Sequence, residues 1–109
     1  MFVITNTLKV KKGFEEKVLA RFDRLGGIEE TPGFILLNVF KTRGTKDYDE
    51  FTIFSKWASK EAHDQWTKTE SFRKSHSGER SEYILDFSLG FYDVVAEKVG
   101  TNKSPQDVL

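Results

Sequence analysis

The sequence predicts an α+β fold with the ferredoxin-like order β-α-β-β-α-β. Three observations predict it. The apolar period switches between two and about 3.6 residues in that order. Most switches are marked by Gly or Pro. The second strand is apolar on both faces, although two helices can cover only one face of a four-stranded sheet. A second copy of the chain is the simplest cover for the other face, so the expected assembly is a homodimer forming an α+β barrel.

The elements follow in order. In Phe2–Val10, the residues Phe2, Ile4, Leu8 and Val10 share one face, which reads as a strand. Lys11-Lys12-Gly13 breaks it. Phe14, Val18, Phe22 and Leu25 then fall at helical spacing, and Gly26-Gly27 stops that helix. Thr31-Pro32-Gly33 is a turn. Phe34 to Thr42 reads as the second strand, Arg43 to Asp49 as a polar loop and Glu50 to Trp57 as the third strand. Ser59 is placed to cap a second helix that carries Ala62 and Trp66 on its inner face. Thr69 to His76 continues helically after a kink, and Ser77-Gly78 ends it. Leu85 to Val99 reads as the last strand, with Leu85, Phe87, Leu89 and Phe91 alternating. Residues 1–99 are expected to form one domain and 100–109 a polar tail.

Composition narrows the function. Lys and Arg number 17, as do Asp and Glu, so no net field attracts nucleic acid or an acidic membrane. There is no Cys, which excludes disulfides, thiolate metal sites and a Cys nucleophile. No apolar run approaches the roughly 20 residues of a membrane helix. The first residues read as a strand and not as a targeting leader, so a cytoplasmic protein is expected. With 10 Phe, 3 Tyr and 2 Trp, an aromatic core is feasible in 109 residues. Gly-rich phosphate loops, HExxH and G-x-S-x-G are absent from the sequence. The acidic stretch Lys46-Asp47-Tyr48-Asp49-Glu50 reads as a solvated loop.

Three residues stand out. Asn6 holds an inward position between Ile4 and Leu8, where an amide costs free energy unless it is hydrogen-bonded. It is either a core Asn satisfied at a bulge or a donor aimed into a pocket. His76 lies one helical turn after Phe72. It is either a surface histidine favoured by a helix C-terminus or an axial ligand to haem iron. Trp66 is either core or the wall of a flat ligand pocket. Trp57 has the same two readings, with core favoured. His63 is expected to project outward into solvent.

Asn6, Trp66 and His76, in this order and spacing, resemble the IsdG/IsdI-type haem-degrading monooxygenases, small dimeric α+β barrel proteins that release iron from haem. The resemblance covers about the first 77 residues. Arg21-Phe22, Gly27-Ile28-Glu29, Gly33-Phe34, Asp49-Glu50, Trp57 and Ser71-Phe72 also carry it. It implies that His76 is the axial iron ligand. It implies that Asn6 donates a hydrogen bond to the iron-bound oxygen species, and that Trp66 presses haem out of plane. Haem would be both cofactor and substrate, with molecular oxygen and electrons from a reductase or small reductant, in the service of iron acquisition. Arg21, Arg24 or Arg80 would meet the propionates. The segment Ser77 to Ile84 is shorter than in the best-known members, which leaves haem orientation and product pattern open. Two rival functions stand beside this one: a cofactor-free oxygenase of the same barrel superfamily, and a non-enzymatic haem carrier or sensor.

Overall fold

The alternation of Phe2–Val10 forms strand β1 over those residues in a computed structural model that describes residues 1–23, 26–69, 72 and 82–101. Helix α1 (Glu15–Asp23) and a one-turn 3-10 helix (Ile28–Glu30) lead to strands β2 (Phe34–Lys41) and β3 (Asp49–Trp57). Helix α2 (Lys60–Trp66) and strand β4 (Ile84–Asp93) complete the described elements. The strands form one antiparallel sheet in the order β2-β3-β1-β4. This is the expected ferredoxin-like arrangement.

Cross-strand partners in an antiparallel pair share a face. Phe2 pairs with Trp57, Ile4 with Ser55, Asn6 with Ile53 and Leu8 with Phe51, so these side chains point to one side. The helices cover that side. One core cluster joins Phe2, Ile28, Trp57 and Trp66, with Ile4, Phe34, Leu37, Ala62 and Phe72 packed against it. A second joins Leu8, Val10, Val18 and Phe51, flanked by Phe14, Val39, Ile53, Tyr83 and Ile84. Trp57 is fully buried, as its core reading expected. Gly33 ties β2 to α2. Its φ of 86° is left-handed, and a Cβ there would overlap the Ala62 methyl.

Several boundaries differ from the sequence reading, each for a local reason. Helix α1 starts at Glu15, because the Phe14 carbonyl accepts from the N–H groups of Lys17 and Val18 and so stands at its cap. Strand β3 starts at Asp49, which is buried beside Lys12 at 3.4 Å and is not part of a solvated loop. Strand β4 ends at Asp93, not Val99. Asp93 pairs with Phe2, the first residue of β1, and beyond it the Val94 N–H still reaches the Met1 carbonyl without extending the ladder. A strand paired on one side cannot outlast its partner.

Neither described helix lies on the opposite face of the sheet. Leu36 and Phe40 of β2 and Tyr92 of β4 are exposed there, and Phe40 packs on Phe54 at 5.8 Å. Lys56 on the same face pairs with Glu97, which returns from beyond β4.

Candidate functional site

Asn6 lies at the centre of β1, flanked by Ile53 of β3 and Leu89 of β4 on the helix side of the sheet. Pairing is regular at Asn6, and the register shift of β1 against β4 falls between Lys9 and Val10. The amide therefore does not sit at a bulge. Its side-chain oxygen is buried and has no hydrogen-bond partner among the described residues. Leaving such a group unpaired costs roughly 1–3 kcal/mol, an unusual feature in a well-formed strand pair.

Beside Asn6 runs an apolar row. Phe87, Leu89 and Phe91 alternate along β4 and pair with Leu8, Asn6 and Ile4, so they share its face. They are 51%, 55% and 62% exposed, and neither core cluster includes them. The sequence reading took this alternation only as a strand signature. That the row lies bare next to a polar group follows from β4 being the edge strand beyond the helices.

Trp66 ends α2. The Ser59 hydroxyl accepts from the Ala62 N–H at 3.1 Å and caps the start of that helix, as the sequence predicts. Trp66 is 6% exposed and belongs to the core cluster. Its ring centroid lies 5.6 Å from Trp57, 6.0 Å from His63 and 4.9 Å from Phe72, the last edge-on. Ile4 packs on the same cluster, one inward position along β1 from Asn6. Asn6 and Trp66 thus stand on one side of the sheet with Ile4 between them.

Past Trp66, the Thr69 hydroxyl donates to the Trp66 carbonyl at 2.7 Å and accepts from the Phe72 N–H at 3.2 Å. One side chain thus links the end of α2 to the Phe72 backbone, while the helical continuation expected over Thr69 to His76 lies, apart from Thr69 and Phe72, outside the described residues. The predicted ligand His76 lies outside the described residues, as do Arg24 and Arg80. Arg21 is half-buried on α1.

His63 corrects the sequence reading. It is not solvated. Its ring meets Trp57 edge-on at 5.3 Å, and Phe2 at 6.1 Å. Position on a short helix did not reveal this, because the Trp57 ring at the end of β3 extends under the flank of α2. Burial pushes the His63 pKa below its ordinary value, against the raising effect of Asp64, whose carboxylate is 3.6 Å from Nδ1.

Two pockets border these elements. One of about 200 Å³ is lined by Phe22, Asp23, Gly26, Ile28, Glu29, Phe34 and Leu37. It is smaller than the roughly 300–1,000 Å³ of a ligand cleft and does not reach Asn6. The other, about 420 Å³, lies among Lys12, Lys41, Arg43 and Asp49. Two of its cations are paired, Lys12 with Asp49 and Lys41 with Glu15. No group of three or more His, Cys, Asp or Glu side chains that could hold a metal occurs among the described residues. A haem iron needs no such group, since the porphyrin supplies the other ligands. The Asn6 oxygen, unpaired among the described residues, beside an exposed apolar row fits a flat, largely apolar ligand with a polar centre.

Comparison with known proteins agrees. Residues 1–78 match the antibiotic biosynthesis monooxygenase family. A Bacillus cereus (strain B4264) protein named heme-degrading monooxygenase is 45% identical over 96 residues, 86% of this chain and 90% of the relative. Among solved structures, the heme-degrader MhuD from Mycobacterium tuberculosis, with two hemes bound in its active site, is 26% identical with a TM-score of 0.67. The match covers 92% of this chain and 100% of that one. SnoaB, a cofactor-independent oxygenase from Streptomyces nogalater, has a TM-score of 0.71 at 12% identity, covering 88% of this chain and 94% of that one, a likeness of fold alone. The chain belongs to the antibiotic biosynthesis monooxygenase family, beside relatives named heme-degrading monooxygenase.

Proposed function

We propose that this protein is a haem-degrading monooxygenase, which binds haem and cleaves its ring with oxygen to release iron. The observation that carries the reading is the buried Asn6 side-chain oxygen, without a hydrogen-bond partner among the described residues, beside the exposed row Phe87, Leu89 and Phe91. The relative at 45% identity supports it, and outweighs a fold likeness at 12% identity to a cofactor-independent oxygenase.

Haem, when bound, supplies both the iron that activates oxygen and the ring that is oxidised. The chain's own residues bind and orient it. His76 holds the iron through an imidazole nitrogen. The β4 row offers an apolar wall and excludes water. Asn6, inward-facing at the centre of β1, would offer its side-chain amide N–H to a polar group of the bound ligand. Trp66, braced by Trp57 and Phe72, would press its indole against the macrocycle and so help to set the shape in which the ring is held. Arg21 is the described candidate for a propionate.

The finer expectations belong here as well. Electrons come from an external reductase or small reductant. The protein works as a cytoplasmic homodimer whose helix-free sheet faces meet through Leu36, Phe40 and Tyr92. No described helix is long and apolar enough to cross a membrane. Residues 1–99 act as one domain and 100–109 as a tail.

Haem titration tests the reading. Wild type should bind about one haem per chain with the absorption bands of a histidine-ligated iron. His76→Ala should lose those bands, and His63→Ala should keep them. The reverse pattern would move the ligand to His63.

A further inference from the structure

His63 has no role in the site described above, yet its surroundings are specialised. It is one of two histidines in the chain. Its side chain is 17% exposed and contacts three aromatic rings, those of Phe2, Trp57 and Trp66. It sits one helical turn before Trp66 on α2, so its ring and the Trp66 ring lie on neighbouring positions of one face.

The indole of Trp66 is thus enclosed by Trp57, His63 and Phe72. Trp57 is held by β3, and its own Nε1 donates to the Ser55 hydroxyl at 3.1 Å. His63 meets Trp57 at an interplanar angle of 80° and Trp66 at 54°, wedged against both rings. Removing the imidazole opens a gap on one side of Trp66 and leaves Trp57 and Phe72 in place. The indole then gains freedom to tilt.

We propose that His63 is a positioning residue for haem turnover: its imidazole, wedged against Trp57 and Trp66, sets the plane in which the Trp66 ring meets the macrocycle. The inference rests on the functional reading above. It requires a ring at position 63 and not a proton donor. Burial favours the neutral imidazole, which suits a packing role. The charged groups that act on His63 are Asp64 and Lys60 of its own helix, while β1 and β3 meet it with the uncharged rings of Phe2 and Trp57.

The test compares wild type, His63→Ala and His63→Phe, each with a melting curve. The first readout needs no haem. Trp57 and Trp66, 5.6 Å apart at 34°, should give an exciton couplet in the far-ultraviolet circular dichroism whose size depends on their mutual angle. His63→Ala should weaken the couplet, bind haem within about threefold of wild type and degrade it about tenfold more slowly per folded molecule, the scale of a modest misplacement. His63→Phe, which restores a ring, should recover both couplet and rate. An unchanged couplet in His63→Ala overturns the inference. So does a weakened couplet at wild-type rate, or a couplet that His63→Phe restores without the rate. A wild type that does not degrade haem overturns the functional reading, and this inference with it.

Discussion

Asn6 is the residue at which local rules are broken most plainly. A strand-centre amide with a buried, unpaired oxygen is a standing cost to the fold. If that cost serves chemistry, removing the amide should spare the fold and affinity while slowing the reaction. Asn6→Ala is expected to bind haem within a few-fold of wild type. Degradation should slow about 100-fold, the typical effect of losing one pre-organised donor. Equal single-turnover rates would remove the role. Trp66 is a different case, because its place in the core adds to its proposed role at the macrocycle. As a core residue it should cost about 1–3 kcal/mol on Trp66→Phe. As the ring that meets the macrocycle it should also slow turnover per folded molecule. A lowered melting temperature with wild-type turnover would assign Trp66 to the core alone. The contrast with His63 shows what sequence conveys at this scale. Asn6 was legible because strand period places it inward whatever the rest of the molecule does. His63 was not, because its burial depends on the Trp57 ring arriving from another element.

At the scale of elements, β4 separates what periodicity conveys from what it cannot. Its alternation was plain in Phe87, Leu89 and Phe91. Its end was not, because Asp93 stops where β1 runs out, and a partner's length is invisible in the strand's own residues. Nor was its exposure. Only the sheet order β2-β3-β1-β4 puts it at the edge, with its apolar row bare beside Asn6. An exposed apolar row that serves only the fold should tolerate a charge, since surface substitutions usually change stability by no more than about 0.5 kcal/mol. A row that holds haem should not. Leu89→Asp is therefore expected to leave the melting temperature near wild type and to weaken haem binding at least about tenfold. This follows from the cost of burying a carboxylate against the macrocycle. Unchanged affinity would place the haem elsewhere. In α2, by contrast, the Ser59 cap was anticipated, because capping is written in adjacent residues.

The whole molecule carries its apolar surface unevenly. The helix side holds both core clusters and, at its β4 edge, the exposed row beside Asn6, while the other side leaves Leu36, Phe40 and Tyr92 open on a chain of zero net charge. A second copy would bury that face without charge repulsion. Light scattering at micromolar concentrations is expected to give twice the 12.6 kDa chain mass. A single-chain mass at far higher concentrations would contradict the barrel. The fold order was legible throughout, since most changes of period coincided with a turn signal and the last helix with the Ser59 cap. The meeting of Asn6 with the β4 row, which joins the first strand to the last, became visible only with the sheet assembled.

The central claim is that the chain destroys haem and does not merely hold it. The most direct test is the absorption spectrum of the protein with one equivalent of haem, followed in air after an electron donor is added, with a ferrous iron chelator present. The main haem band should decay over several minutes in step with formation of the iron–chelator complex, and catalase should not prevent it. A haem band that persists while the donor is consumed, with no iron captured, would contradict the account and leave a haem-binding protein in its place.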